Sequence, residues 1–245
     1  MRIILFSSNS KVSNKCLDNL IDRYSNEIVA LVIVPQIKGN LFKQAETTIK
    51  YLRRTSFSFF FYKIYESFGG KRIIKKAKKY GINIIKAKDV NDPELIKHVK
   101  ILNPDICLFC FVNQILKKPI ISVAKCGSLN AHGSLLPRYR GAAQYFWYLF
   151  NKDKIGGVTI QFMDEKLDAG DIIVQKKFPI KKEDSMFSIH MKIGELSGIL
   201  YSKVIEMIRK NRLKRHSQSK NNSSYHTIPT KDEMKEFKER GLKVY

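Results

Sequence analysis

The sequence predicts an α/β fold in which a doubly wound, mostly parallel sheet carries helices on both faces. Short apolar runs alternate with segments of helical periodicity, the order in which βαβ units are built. The run at 105–112 is apolar at nearly every position, as is typical of a parallel strand buried on both faces. The chain has 245 residues, which is enough for one large domain with an appendage.

The first half of the chain contains most of these alternating elements. Strands are predicted at 2–7, 28–34, 82–86 and 105–112. Helices are predicted at 12–24, within 41–80, from Pro93 to just before Asn103, and at 119–124. Asp92 is a suitable cap for the helix that Pro93 opens. The last short helix leads into a strand that carries Asn130 and His132.

The second half predicts a hairpin followed by a long helix. A helix and two strands are predicted at 142–150, 158–163 and 172–178. The acidic loop 164–171 joins the two strands, which we expect to pair as a hairpin. A long amphipathic helix at 185–210 follows.

The long helix completes a main domain of residues 1–210. We interpret residues 211–245 as a basic linker, an extended arm and a short helix. The segment 209–222 is basic and polar, and we expect it to be mobile. Thr230 and Glu233 form a capping box that predicts the start of the terminal helix.

The charge of the chain is strongly one-sided, with 45 basic and 22 acidic residues and a net charge of +23. Such a surface attracts polyanions. The basic residues are spread out, and no aromatic-interleaved RNA-binding motif accompanies them. The charge therefore indicates either an anionic partner or a compositional bias, and we predict no DNA partner.

The four cysteines are too few for a disulfide scaffold, which favours a reducing compartment and hence the cytoplasm. Cys107 and Cys110 have the spacing of a metal or redox pair, but they lie in an apolar strand where positions three apart face opposite sides. No second pair is present. We therefore expect buried thiols and no metal site.

An aromatic run at 57–62 has basic residues on both sides. It is much shorter than a membrane span, and no signal peptide precedes it, so we expect no membrane-spanning segment. The run could lie on a membrane surface, pack on the core or contact a partner subunit. If its aromatic side chains are exposed, we expect them to form the interface of a homodimer.

Asn130 and His132 lie two residues apart, so an extended backbone places both side chains on one side of the strand. Ligands bind beyond the carboxyl ends of strands in doubly wound sheets. Acyl transfer to an amine requires stabilisation of an oxyanion and removal of a proton. An amide, an imidazole and a carboxylate from the acidic loop can supply both. The alternative is a polar strand end with a solvated histidine.

Two segments, 128–141 (SLNAHGSLLPRYRG) and 157–171 (GVTIQFMDEKLDAGD), resemble the folate-dependent formyltransferases. The shared pattern is Asn-x-His, a Ser-Leu-Leu-Pro loop, and an Asp before Ala-Gly. The layout resembles nucleotide-sugar N-formyltransferases and the catalytic domain of methionyl-tRNA formyltransferase. The resemblance implies a Rossmann-like formyltransferase fold with a short C-terminal helical extension, and catalytic roles for Asn130, His132 and Asp168.

The resemblance also implies the ligands and their sites. It implies 10-formyltetrahydrofolate as the formyl donor and co-substrate, with no metal. The residues expected to bind folate are Asn113, Gln114, Ile115, Leu116, Asp164 and Leu167. The residues expected to bind the amine substrate are Gly133, Ser134, Arg138 and Tyr139.

The acceptor amine is open among three hypotheses. The segment 224–230 resembles formyltransferase-like proteins of surface-polysaccharide synthesis, which favours a nucleotide-linked amino sugar. A methionyl-tRNA formyltransferase-like enzyme is disfavoured, because the residues after Ile180 are too few for the usual C-terminal barrel. The third hypothesis is a non-catalytic basic protein that associates with RNA or membranes.

Overall fold

The computed structural model describes residues 1–36, 53–69, 71–219 and 221–245. The strands are β1 (Ile3–Ser7), β2 (Ile28–Ile33), β3 (Asn83–Lys86), β4 (Ile106–Cys110), β5 (Ser128–His132), β6 (Arg140–Gly141), β7 (Ile155–Phe162), β8 (Ile172–Pro179) and β9 (Tyr225–His226). The helices are α1 (Lys11–Tyr24), α2 (Phe57–Ser67), α3 (Arg72–Lys79), α4 (Pro93–Ile101), α5 (Lys118–Ile121), α6 (Gln144–Phe150), α7 (Met186–Arg209) and α8 (Lys231–Glu239). The part of the predicted helical region at 41–52 lies outside the described residues.

Seven of these strands form one mostly parallel sheet in the order β3-β2-β1-β4-β5-β7-β8. The pairs from β3 to β5 are parallel, whereas β7 runs antiparallel to both β5 and β8. The doubly wound fold and the β7–β8 hairpin are therefore confirmed. The carboxyl ends of β4 and β5 lie side by side, which is where such a sheet binds ligands.

Alternating side chains of the parallel strands build two separate cores. Ile3 and Leu5 of β1 face the core that includes α1 and α7, while Ile4 and Phe6 face the core that includes α4 and α5. The same alternation separates Cys107 from Cys110, and both thiols are buried and free. The expectation of buried thiols is therefore confirmed, and burial raises the pKa of each.

Helix α2 is only partly buried. Phe59 and Tyr62 are fully buried in the main core, whereas Phe57 and Phe61 on the opposite face are largely exposed. The aromatic run therefore packs on the core through one face, which was one of the three placements expected from the sequence. Within the described residues, no helix is long and apolar enough to cross a membrane.

The segment after α7 makes backbone contacts that its basic composition does not indicate, while the mobility expected for 209–222 stays a prediction. His216 pairs with Ile172 through two backbone hydrogen bonds of 2.8 and 2.9 Å. This pairing occurs because β8 is an edge strand whose backbone groups are free to bind another segment. Further along, β9 pairs with β6. We call residues 212–228 the C-terminal arm.

The terminal helix α8 packs into the main core, so we expect Phe237→Ala to destabilise the whole domain. Phe237 is fully buried and stacks on Phe146, with ring centroids 5.0 Å apart. The truncation should lower the free energy of unfolding by about 3–5 kcal/mol, measured by urea denaturation. Lys235→Ala, on the exposed face of the same helix, is the matched control. Equal stability of the two variants would show that α8 does not contribute to the core.

Candidate active site

A cavity of about 910 Å³ opens at the carboxyl ends of β4 and β5. Asn130 and His132 of β5 and Asp168 of the β7–β8 loop all line it. The structure therefore brings together the three side chains that the sequence pattern singles out. Asn130 and His132 face the same cavity because β5 is extended and the two residues are two positions apart.

The central interaction of the cavity is a buried pair between His132 and Asp168. His132 Nδ1 lies 3.3 Å from Asp168 Oδ1, and the two side chains are only 5% and 8% exposed. Burial lowers the pKa of His132, but the Asp168 carboxylate and the hydrogen bonds to Asp168 and the Tyr139 carbonyl outweigh burial and raise it above its ordinary value. The imidazole is thus held in its charged form.

The second ring nitrogen of His132 also faces an acceptor. His132 Nε2 lies 2.7 Å from the Tyr139 carbonyl oxygen. With a carboxylate at one nitrogen and a carbonyl at the other, both nitrogens act as N–H donors, which only the imidazolium can provide. Gln144 Nε2, 3.3 Å from His132 Nε2, donates to the Gly141 carbonyl at 2.7 Å. Gln144 therefore packs beside the ring, while the Asp168 carboxylate and the Tyr139 carbonyl orient the imidazolium from two sides.

Residues of β5, β6 and β7 hold the Asp168 carboxylate in place, the first being His132. Its Oδ2 accepts a hydrogen bond from the Gly141 backbone N–H at 2.9 Å, and its Oδ1 accepts one from Gln161 Nε2 at 3.2 Å. Burial raises the pKa of Asp168, but the charge of His132 and these hydrogen bonds outweigh burial and lower it. The carboxylate is thus kept ionised next to the imidazolium.

Asn130 supplies an available amide beside this pair. It is half-buried and lies opposite Gln161 in the β5–β7 register. Among the residues that the structure describes, none hydrogen-bonds the Asn130 side chain, which lines the cavity. Its NH2 group can therefore donate to a ligand oxygen without breaking a protein hydrogen bond.

The glycine that follows Asp168-Ala169 is required by a close backbone approach. A Cβ at Gly170 would lie 1.9 Å from the Phe162 carbonyl oxygen, so the loop backbone must move to accept any side chain. We expect Gly170→Ala to displace Asp168, to lower the free energy of unfolding by about 1–3 kcal/mol in urea denaturation, and to reduce turnover.

The control for this prediction is Gly241→Ala. An added Cβ there meets nothing within 4 Å, so only its left-handed backbone, with φ +70°, opposes the change. This control should lose some stability and keep its turnover. Equal turnover of the two variants would contradict a positional role for the Asp168 loop.

The six residues expected to bind folate all line the same cavity; they are Asn113, Gln114, Ile115, Leu116, Asp164 and Leu167. The Gln114 side chain is used by the protein itself, because its Oε1 accepts from Val90 N–H at 2.8 Å and its Nε2 donates to the Pro35 carbonyl at 3.0 Å. Ile115 and Leu167 are largely exposed. Binding of folate by these residues stays a prediction.

The residues expected to bind the amine substrate are placed differently. Gly133 lines the cavity. Ser134 Oγ donates to the Arg138 carbonyl at 2.6 Å, Tyr139 OH donates to Asp153 Oδ2 at 2.7 Å, and Arg138 lies 3.6 Å from the same carboxylate. These three residues stabilise the loop and lie outside the cavity wall, so their placement gives the prediction no support.

Several residues that shape the site were not predicted from the sequence. Gln144 and Gln161 contact His132 and Asp168 directly, as described above. His190 of α7 lines the cavity, stacks on Tyr145 and lies 2.8 Å from the Tyr62 hydroxyl. Burial lowers the pKa of His190 to about 3, so this histidine is neutral. Gln144 follows Gly141 by three residues, and nothing in this local sequence indicated its role.

The described residues contain no group of three or more His, Cys, Asp and Glu side chains that could hold a metal ion. The cavity presents an imidazolium, a carboxylate and an amide at the edge of a doubly wound sheet. This arrangement suits acyl transfer, because it offers positive charge and a hydrogen-bond donor to a developing oxyanion.

Comparison with known proteins gives the family of the chain. The family model described as formyl transferase matches residues 1–205. The chain therefore belongs to the formyl transferase family.

Individual relatives fall into more than one branch of the family. Methionyl-tRNA formyltransferase of Methylacidiphilum infernorum is 35% identical over 153 residues, which cover 62% of this chain and 48% of that protein. The chain spans about half the length of the methionyl-tRNA formyltransferases that it matches.

Solved structures share the fold at lower identity. Phosphoribosylglycinamide formyltransferase from Anaplasma phagocytophilum has a TM-score of 0.66 and 19% identity, covering 94% of this chain and 99% of that one. An N-formyltransferase from Helicobacter canadensis, in complex with folinic acid and dTDP-3-aminofucose, has a TM-score of 0.56 and 17% identity, covering 93% and 71%. At these identities the likeness shows the fold alone.

Proposed function

We propose that the protein transfers a formyl group from 10-formyltetrahydrofolate to the amine of a small substrate. The acceptor that we propose is a nucleotide-linked amino sugar. The observation that carries the proposal is the buried His132–Asp168 pair beside the available Asn130 amide. Family membership, the folinic acid bound to the Helicobacter canadensis relative and the sequence pattern support the donor.

The cavity fits a folate donor. Its volume of about 910 Å³ lies at the upper end of the range for small-molecule sites, which leaves room for the reactive part of a donor and for an acceptor. Its wall combines apolar side chains such as Ile115, Leu116 and Met163 with Asn113 and Asp164. A flat apolar ring with polar edges matches such a wall.

When bound, the folate supplies the formyl carbon, and the chain supplies position and charge. Asn130 is free to donate to the formyl oxygen. His132 contributes positive charge from the cavity wall, because its Nε2–H is already directed at the Tyr139 carbonyl. Asp168 keeps His132 charged, and its own oxygens are held by protein donors. The proton that the amine loses on forming its bond to the formyl carbon would therefore pass through water to the folate nitrogen, whose bond to that carbon breaks.

A sugar nucleotide is the acceptor that the structure supports best. The C-terminal arm contributes Tyr225 and Ile228 to the cavity wall, next to Gly141. The Tyr225 ring is largely exposed and offers an aromatic face, while the net charge of +23 suits a phosphorylated ligand. The Helicobacter canadensis relative is in complex with dTDP-3-aminofucose, a molecule of this class.

The test is an assay with 10-formyltetrahydrofolate and a panel of nucleotide-linked amino sugars. We expect tetrahydrofolate to form together with an acceptor that has gained one CO unit, detected by mass spectrometry. The matched panel contains the same sugars with a hydroxyl in place of the amine. Donor consumption that does not depend on the amine would contradict the proposal.

Aminoacyl-tRNA is the second candidate acceptor, favoured by the 35% identity to a methionyl-tRNA formyltransferase. Methionyl-tRNA should be tested in the same assay, with its binding measured at increasing salt. A steep loss of affinity with salt would indicate phosphate contacts. Formylation of methionyl-tRNA without formylation of any amino sugar would assign the chain to this alternative.

A further inference from the structure

Gln218 of the C-terminal arm hydrogen-bonds several segments next to the site. Its Nε2 lies 3.1 Å from Gln161 Oε1, 2.9 Å from the Asp168 carbonyl and 2.8 Å from the Gly170 carbonyl. Its Oε1 accepts from Arg140 Nη2 at 2.6 Å and from Arg140 Nε at 3.1 Å. One amide therefore connects β6, β7 and the Asp168 loop.

The partners of Gln218 are the groups that hold the Asp168 carboxylate. Gln161 donates to Asp168 Oδ1, and Arg140 precedes Gly141, whose N–H donates to Asp168 Oδ2. Asp168 itself has a left-handed backbone with φ 51°, which aspartate adopts more readily than most non-glycine residues but still at some cost. The donor hydrogens of Gln218, directed at the Asp168 and Gly170 carbonyls and at Gln161, tie this part of the loop to β7.

The arm delivers Gln218 to this position from two fixed points. Before it, His216 pairs with Ile172 of β8. After it, the Ser224 carbonyl accepts from the Arg140 N–H at 2.9 Å, and Ser224 Oγ accepts from the Tyr139 N–H at 2.8 Å. Gln218 lies outside the cavity wall formed by the described residues, so any effect on chemistry passes through its partners.

We propose that Gln218 is a positioning residue that sets the geometry of the His132–Asp168 pair, which makes the C-terminal arm a working part of the active site. The effect on turnover rests on the proposed function, whereas the effect on the pair does not. Groups that orient a catalytic side chain typically change activity by about 10- to 100-fold when they are removed.

The test compares Gln218→Leu with the neighbouring control Ser217→Ala, whose hydroxyl makes one exposed hydrogen bond to Asp171. Gln218→Leu should lower kcat by about 10- to 100-fold and leave both KM values within about twofold, because Gln218 does not face the ligands. In an Asp168→Asn background the same change should add no loss, since Gln218 acts through Asp168. Full additivity of the two losses would overturn the proposal.

Two further readouts need no substrate. The Gly141 and Phe162 amides donate to Asp168 Oδ2 and to the Asp171 carbonyl, and their hydrogen exchange should be at least about tenfold faster in Gln218→Leu. The charged groups that act on His132 are Asp168 from its loop and Arg140 from β6, and Gln144 from α6 is neutral. A looser Asp168 should therefore lower the pKa of His132, measured by NMR titration.

These readouts separate the two claims. If the wild-type protein formylates no amine, the proposed function fails, while hydrogen exchange and the His132 titration still decide the role of Gln218. Unchanged exchange and an unchanged titration in Gln218→Leu would refute that role even if the enzyme is active. If Gln218→Leu fails to fold, Gln218→Asn takes its place in these measurements. Asparagine keeps a polar amide but is one methylene too short to reach all the partners of Gln218, so the same changes in exchange and titration are expected.

Discussion

Replacement of His132 by alanine is expected to lower kcat/KM for formyl transfer by about 10³-fold, the size of effect that general acid–base and oxyanion-stabilising groups have in other enzymes. Within the described part of the chain, His132 supplies a buried positive charge that contacts both the Asp168 carboxylate and the Tyr139 carbonyl. Its loss leaves the developing oxyanion with the Asn130 amide alone.

The matched control for this variant is His98→Ala, an exposed histidine on α4 whose loss should leave kcat/KM unchanged. Both proteins should bind the donor with similar affinity, because His132 is expected to act on the transition state rather than on the bound donor. Formylation by His132→Ala at a rate close to that of His98→Ala would show that the chemistry takes place elsewhere.

Asp168→Asn is expected to lower kcat/KM by about 10²- to 10³-fold and also to change its pH dependence. In the wild-type protein Asp168 raises the pKa of His132 against the effect of burial. Without the carboxylate, only the hydrogen bond to the Tyr139 carbonyl opposes burial, so the pKa of His132 should fall. The pH at which activity declines on the alkaline side should then move to lower values.

The same shifts predict how the pair contributes to stability. The pKa of His132 is raised on folding, so its contribution is fully present below the ordinary histidine pKa and is lost as the pH rises through the raised value. The pKa of Asp168 is lowered, so its contribution is present above the ordinary aspartate pKa and is lost as the pH falls through the lowered value. Both contributions are therefore present in mildly acidic solution.

Asp171→Asn is the control for Asp168→Asn. It removes a carboxylate three residues further along the same loop, where Asp171 Oδ1 accepts from Ser217 Oγ at 3.1 Å. Its kinetics and pH profile should match those of the wild-type protein. An alkaline limb that stays in place in Asp168→Asn would contradict the assigned electrostatic role.

Local patterns in the sequence were sufficient to place Asn130 and His132 side by side. The spacing of Asn130 and His132 fixes their common side, because alternation along a strand does not depend on tertiary context. The placement of Asp168 depended on the resemblance to a known family. The close approach of Gly170 to Phe162 explains why a glycine follows so soon after that aspartate.

Contacts that join distant parts of the chain could not be predicted. The basic composition of 209–222 suggested mobility, and nothing in the sequence indicates that Gln218 meets Arg140 and the Asp168 loop. Likewise, the side chains of Ser134 and Tyr139 looked available for an acceptor, but they bond within their own loop and to Asp153. Such pairings depend on packing geometry that one-dimensional patterns do not contain.

The central claim is that the cavity beside His132 and Asp168 transfers a formyl group directly from donor to amine. The most direct test follows the ¹³C label of 10-[¹³C-formyl]tetrahydrofolate by NMR in a single turnover with an amino-sugar nucleotide. The label should appear in the formamide of the acceptor with the wild-type protein, and this signal should be nearly absent with His132→Ala. Release of the label as free formate, or an unlabelled acceptor after the donor is consumed, would contradict the account.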